Sequence, residues 1–304
     1  MTKTDRLVYL TLAYSAYFAF PLTLREIKQR LVMSDDLGHL FARRHTAVSK
    51  ISLSHQQIKN SLKKLLQQEK IFSDGEYYFL AASHLRARLG KQKYLAQKQQ
   101  ALQELVSYLQ HIPLIKAAVL TGGTAVDNAA ATDDLDMLII CRRQTLWIVR
   151  LWLVLLSKWR HKRPLRDQNA WCFNLFLDED HLLIPSHRRS LYEAYEILQM
   201  RFVYDPEDLE SRVRAVNQVW LEDYLQVFAE AASSRPVAAL QSRTGWLGLL
   251  NDWLFRAQLL YRRWRFGEEG FDLSLEQAFF NQTNFRRRVE RYLRAQVAKL
   301  PKLT

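Results

Sequence analysis

Two aspartates, Asp134 and Asp136, follow a pair of glycines, Gly122 and Gly123, in the stretch VLTGGTAVDNAAATDDLDMLII over 119–140. The apolar run before the glycines and the one after the aspartates both read as strands. Residues i and i+2 of a strand point to one face, so the two carboxylates project together while Leu135 and Met137 turn to the core. Charges that close repel, and one of the two pKa values must rise unless a cation intervenes. Mg²⁺ prefers hard oxygen ligands and commonly takes one or two carboxylates completed by substrate phosphates. Gly122 and Gly123 let the backbone approach a ligand and turn N–H groups toward phosphate oxygens, and Thr124 adds a hydroxyl donor. A triphosphate on one side and a metal on the other is the layout that phosphoryl and nucleotidyl transfer require. The plainer alternative is a glycine turn followed by a surface loop whose acids are merely solvated. Arg142, Arg143 and Arg150 follow the Asp-x-Asp strand, and they could neutralise triphosphate charge or simply decorate a strand end.

The segment resembles the signature of the DNA polymerase β-like nucleotidyltransferase superfamily. Leu120-Thr121-Gly122-Gly123 stands for its apolar-Gly-Gly element, and Asp134-Leu135-Asp136-Met137 for its Asp-apolar-Asp-apolar element. The resemblance implies a small mixed α/β domain that binds a nucleoside triphosphate with Mg²⁺ or Mn²⁺. Gly122 and Gly123 would then contact phosphates and Asp134 and Asp136 hold the metal; with Thr124 and Arg142 as further nucleotide-binding candidates from the residues themselves, the expected catalytic set is Asp134, Asp136 and Asn174. A looser likeness, to prokaryotic nucleotidyltransferase-domain proteins with an N-terminal winged helix, covers most of the chain. One departure stands out. Active members carry a third carboxylate on a following strand, and the matching strand here, WCFNLFLDED, offers Asn174. An amide can ligate a cation but accepts no proton at neutral pH. Asp178, Glu179 or Asp180 would have to reach back to replace it; failing that, the domain binds nucleotide with little turnover.

The elements that must position these groups follow from periodicity. The chain has 304 residues, enough for about two domains, with 48% apolar and 12% aromatic residues, as in a folded globular protein. The expected fold class is α+β, in three parts. Residues 1–83 read as a winged helix-turn-helix. Thr23 is a helix cap, Ser54 and Gln57 have capping-box spacing, and two β-rich runs flank Asp74-Gly75 as a hairpin. Lys59, Lys63 and Lys64 lie on the polar side of the candidate recognition helix, where nucleic-acid contact and an ordinary solvated face compete as readings. Residues 33–50 fit no clean period. Residues 84–187 hold the nucleotidyltransferase-like domain, with strands at AAVLTG, LDMLIIC and AWCFNLFLD and a helix over 145–159. Residues 188–304 read as a helical C-terminal region, in which Trp253, Phe255, Leu259 and Leu260 are expected in the core. A break is expected near 232–245 and an exposed basic loop at HKRPLRD, 161–167.

A net charge of +13 favours anionic partners: nucleic acid, nucleotides or an anionic membrane surface. Arg262, Arg263 and Arg265, and a second cluster from Arg286 to Arg294, suit a phosphate backbone or a solvated face equally. Cys141 and Cys172 show no metal-type spacing and fit a reduced cytoplasmic setting. His181 and His187 lack ligand partners at useful spacing. The most apolar window, TLWIVRLWLVLLSKWRHKR, is too short to cross a bilayer, so no transmembrane segment is expected and the window reads as a buried helix. The expected function is transfer of a nucleoside monophosphate to an acceptor hydroxyl on nucleic acid, protein or another molecule, releasing pyrophosphate. The alternative is a nucleic-acid-binding regulator or antitoxin-like protein whose transferase-like domain is a sensor or inactive.

Overall fold

The structure, a computed structural model, describes residues 1–41, 52–160, 169–226, 245–266, 272–280 and 284–301. It is mixed α/β with two sheets. Helix α1 (Lys3–Tyr17) starts from a capping box in which the Thr2 hydroxyl accepts the Asp5 N–H and the Asp5 carboxylate accepts the Thr2 N–H. β1 (Leu22–Thr23) runs into α2 (Leu24–Gln29) through a second box, Thr23 with Glu26. α3 (Leu37–Phe41) follows, then α4 (His55–Gln67), which opens on the predicted Ser54–Gln57 box. Ile58, Leu62 and Leu65 give α4 one buried face. β2 (Phe72–Ser73) and β3 (Tyr77–Phe79) are the predicted hairpin. Gly75 takes φ +102° at its tip, where only glycine is unstrained. β1 adds to β3, making an antiparallel sheet ordered β1-β3-β2.

α5 (Ala82–Lys91) and α6 (Leu95–Leu109) lead to β4 (Ile115–Leu120), the one-turn helix α7 (Gly122–Ala125), β5 (Leu135–Cys141), α8 (Leu146–Arg160) and β6 (Trp171–Asp178). Then come α9 (Leu191–Gln199), β7 (Arg201–Tyr204), α10 (Leu209–Leu221), α11 (Trp246–Phe266), β8 (Asp272–Leu273), β9 (Gln277–Phe279) and α12 (Asn284–Val297). The second sheet has the order β7-β4-β5-β6-β9-β8. Among its described pairs β5 and β6 alone run parallel, as the α8 crossover between them requires.

Alternation on β5 sorts the core. Leu135, Met137 and Ile139 pack with Leu105 and Leu109 of α6 and with Trp147 and Leu153 of α8. Leu138 and Ile140 join the other cluster, which contains Leu191 and Tyr195 of α9 and extends through Leu7 and Leu10 of α1. Asp136 has the parity of Leu138, so it points to the α9 side.

Three expectations are corrected here. The region 188–304 is not all helical: it contributes β7, β8 and β9 to the central sheet, and α12 packs back on α1, with Tyr17 edge-on to Phe285 and Tyr292. These strands are two to four residues long, and pairing creates them rather than any periodicity of their own: β7 on β4, β9 on β6 and β8 on β9. Helix α8 is buried on one side only, and Trp253 and Leu260 of α11 point outward instead of into the core. Phe255 does pack inward, its ring 4.9 Å from that of Trp147. The predicted basic loop at 161–167, the break over 232–244 and residues 42–50 lie outside the described residues. No helix among the described residues is long and apolar enough to cross a membrane.

Candidate functional site

The glycine turn is fastened directly to the start of β5. The Thr121 N–H donates to the Asp136 carbonyl at 2.9 Å, which sets Gly122 against the Asp136 side chain. Gly122 has φ +65°, and a Cβ built there would stand 2.8 Å from Asp136 Oδ2. Both conditions disfavour a side chain: the backbone would be strained and the Asp136 carboxylate would have to move. Gly123 is less constrained: a Cβ would meet only the Asn128 carbonyl, at 3.5 Å. Asn128 anchors the far side of the turn. Its N–H donates to the Gly123 carbonyl at 2.8 Å, its amide donates to the Phe18 carbonyl, and its amide oxygen accepts from Lys91.

Asp134 and Asp136 come together as their spacing predicts, and Cys172 joins them. One ligand atom from each of the three lies within 4.8 Å of the others. Cys172 pairs with Asp136 in the parallel register of β5 and β6, and the register shifts just beyond, between Met137 and Leu138. Asn174 occupies that irregularity and shares the face of Asp136. Its side-chain amide donates to Asp136 Oδ1, and the Cys172 thiol donates to Asn174 Oδ1 at 2.9 Å. Burial, followed by the neighbouring Asp134 charge, pushes the Asp136 carboxyl up to about 7, against the opposing hydrogen bonds from Asn174 and Cys172.

Motif reasoning did not find Glu196. This α9 carboxylate accepts the Gly122 N–H, and burial, then the charge of Asp136, pushes it up to about 8. No spacing rule links residue 196 to residue 122. The available signal was an acid in a helix, LYEAYEILQ, whose neighbours Tyr195 and Ile197 are both core residues. The Gly122 N–H expected to face a phosphate thus already carries an anionic-type acceptor. On the α1 side of the turn a small cleft is bounded by Tyr14, Phe18, Phe20, Arg30, Glu196 and the two glycines.

Several predicted members are elsewhere. The Thr124 hydroxyl is buried and donates to the Asp134 carbonyl at 3.4 Å, bracing the loop that presents the aspartate. Arg142 follows the last residue of β5, about 20 Å along the strand from Asp136 at ~3.3 Å per residue, so it does not belong to the site. Asp178, Glu179 and Asp180 do not reach back. They sit at that same far end, where Asp178 and Glu179 accept the N–H groups of Gln144 and Arg143, and Asp180 lies 3.9 Å from Arg143. Arg150 is buried over the Phe280 ring, hydrogen-bonded to Gln258 and depressed to about 10 by burial and Arg262. Lys64 is tied to Asp5 at 2.9 Å, whereas Lys59 and Lys63 are exposed. His181 and His187 pair with Asp178 and Asp272. Comparison of the chain with protein-family models, curated proteins and solved structures found no match.

Proposed function

We propose that the chain is a nucleotidyltransferase of the DNA polymerase β-like kind, dependent on Mg²⁺ or Mn²⁺, with an N-terminal winged helix. One observation carries the reading: two carboxylates meet beside a glycine turn so closely apposed that a Cβ on Gly122 would displace the Asp136 carboxylate. The donor set fits a hard divalent cation. Asp134 and Asp136 offer two carboxylates on one face, and the upward shift of Asp136, caused first by burial and then by the Asp134 charge, is what a bound cation would offset. Such a cation, when bound, supplies charge neutralisation for the phosphates.

The chain's own groups do the rest. Asp134 and Asp136 hold the cation, Gly122 and Gly123 give the triphosphate a close backbone approach, and Thr124 keeps Asp134 in place. In the transfer, the acceptor oxygen bonds to the α-phosphorus as the bond to the bridging oxygen breaks, and pyrophosphate leaves with the electron pair. The acceptor proton needs a base. Asn174 cannot take it; of the further carboxylates within electrostatic reach of Asp136, Asp133 is exposed and accepts the Ala130 N–H, whereas Glu196 is desolvated beside the glycine turn. We assign Glu196 to that role in place of the missing acid on β6. The helices and the β1-β3-β2 sheet of the first eighty residues or so follow the order of a winged helix, with Lys59 and Lys63 exposed on α4. A cytoplasmic setting fits two cysteines that form no disulfide.

The test is titration of a fluorescent nucleoside triphosphate with Mn²⁺ into wild type, Asp134→Ala and Asp136→Ala. Cation-dependent binding that weakens at least about tenfold in each variant supports the reading. Equal binding by all three proteins refutes it. Asn174 in the third-acid position favours a second reading, a nucleic-acid-binding regulator. Salt-dependent DNA binding that survives loss of both aspartates, with no transfer to any acceptor, selects that one.

A further inference from the structure

Of the chain's eight tryptophans, five point into solvent from two neighbouring helices. Trp152 and Trp159 lie on α8 and Trp246, Trp253 and Trp264 on α11, each between 60% and 81% exposed. On α11, Trp246, Leu250, Trp253, Leu260 and Trp264 recur at steps of three, four and seven, which is one stripe of a helix. On α8, Trp152, Leu155 and Trp159 do the same. At about 200 Å² for a fully exposed aromatic side chain, the tryptophans alone present roughly 700 Å², before the leucines are added. The largest apolar patch on an ordinary monomer is about 300–600 Å².

The face is preformed. The Trp147 N–H donates to the buried Asn251 side chain at 2.8 Å, and Gln258 donates to the Trp147 carbonyl at 3.1 Å. Leu254 completes the seam in the core. The outward stripes are therefore not the sides on which α8 and α11 pack together.

Charge selects the occupant. On α8, Arg150 is buried on the Phe280 ring and Arg160 pairs with Glu104, which leaves Lys158 and no acid of its own; α11 carries four arginines, Arg262 among them on Phe280, against the single acid Asp252. Arg256, Arg263 and Lys158 are exposed beside the stripes. A second copy docked on this face would set basic rim against basic rim with Asp252 as the one acid on the two helices, which is unfavourable. An anionic bilayer surface complements both features: tryptophan and leucine side chains enter the headgroup boundary, and the basic side chains meet lipid phosphates. We infer that α8 and α11 form a peripheral docking face for an anionic membrane surface. It covers the sheet face of Leu135 and Met137, opposite to Asp136, so docking leaves the candidate site uncovered.

The experiment uses the full chain with vesicles of phosphatidylcholine alone and of phosphatidylcholine mixed with phosphatidylglycerol. Expected are co-sedimentation with the anionic vesicles, quenching of tryptophan emission by brominated lipid, and loss of both at high salt. The triple variant Trp159→Ser, Trp253→Ser, Trp264→Ser weakens partition by at least about tenfold with an unchanged circular dichroism spectrum. Arg256→Gln with Arg263→Gln narrows the difference between the two vesicle types. Absence of partition, or equal partition into both vesicle types, overturns the inference. So does a solution mass of two or more copies that falls to one copy in the triple tryptophan variant, which gives the face to a second chain.

Discussion

Replacing Gly122 with alanine tests how the turn and the aspartate depend on each other. Two separate costs arise. At φ +65° an L-residue is in the left-handed region, at a cost of about 1–2 kcal/mol. The new Cβ would also stand 2.8 Å from Asp136 Oδ2, closer than carbon and oxygen settle, so the carboxylate must rotate. Rotation breaks its bond with the Asn174 amide, and a hydrogen bond to a charged group contributes about 1.5–3 kcal/mol. Some recovery by repacking leaves a net loss of about 2–4 kcal/mol. For a chain of this size that lowers the melting temperature by about 4–8 °C. Gly123→Ala is the internal control, since its Cβ meets nothing nearer than 3.5 Å and its φ is not positive; it changes stability by less than about 0.5 kcal/mol. Thermal and urea unfolding of the three proteins measure the stabilities, and Mn²⁺ titration measures the cation. Gly122→Ala is expected to bind Mn²⁺ at least about tenfold more weakly because one ligand has turned away. If the two alanine variants melt within a degree of each other, the apposition of turn and carboxylate has no energetic consequence, and the site as described is wrong.

Two further predictions concern acids that sequence motifs leave out. Glu196→Gln keeps the shape and the acceptor for the Gly122 N–H but cannot take a proton; nucleotide binding within about threefold of wild type with transfer reduced at least about a hundredfold is expected, and equal transfer rates remove Glu196 from the reaction. Asp5→Ala removes the carboxylate that accepts the Thr2 N–H in the α1 box and leaves the buried Ser61 hydroxyl without its acceptor, so chemical denaturation is expected to show a loss of about 2–4 kcal/mol. Burial raises the Asp5 carboxyl, but hydrogen bonds from Lys64, Thr2 and Ser61 outweigh it and leave it below its ordinary value. A lowered folded-state pKa means that this contribution is complete above an unfolded value of about 3.9 and is lost as pH falls through the folded one. The wild-type advantage over the variant must therefore shrink below about pH 4, and a gap that is constant from pH 3 to 6 contradicts the assignment.

What the sequence made legible was local. The Thr23 cap and the Ser54–Gln57 box are decided within one turn, the hairpin turns on Asp74-Gly75, and the Asp134–Asp136 face follows from strand parity alone. Each is decided within a few residues, where backbone geometry leaves few options. What stayed hidden needed long-range pairing. Residues 201–204 form a strand because β4 offers an edge, and Glu196 enters the site because α9 packs against α7. Arg142 was misplaced for a related reason. Nearness in sequence to Asp136 is distance along a rigid strand, and six steps carry the side chain to the opposite end of the sheet. The tryptophan stripes show the limit of hydrophobicity as a guide to burial. An apolar face at helical spacing states that something covers it, not that this chain does.

The central sheet separates two jobs that neighbouring residues of one strand perform. Along β5, Leu135 and Met137 pack toward α8, while Asp136, between them, faces the glycine turn and α9. A ligand that pulls on Asp136 therefore acts on a strand whose other face is the floor under α8 and α11. The reverse also holds: anything seated on the tryptophan face presses on helices whose core contacts include Met137. Strand β5 is hydrogen-bonded on both edges, to β4 and β6, and so transmits displacement poorly. Such a strand keeps the geometry of the two carboxylates independent of what covers the outer helices, and nucleotide affinity should be the same for free and vesicle-bound protein.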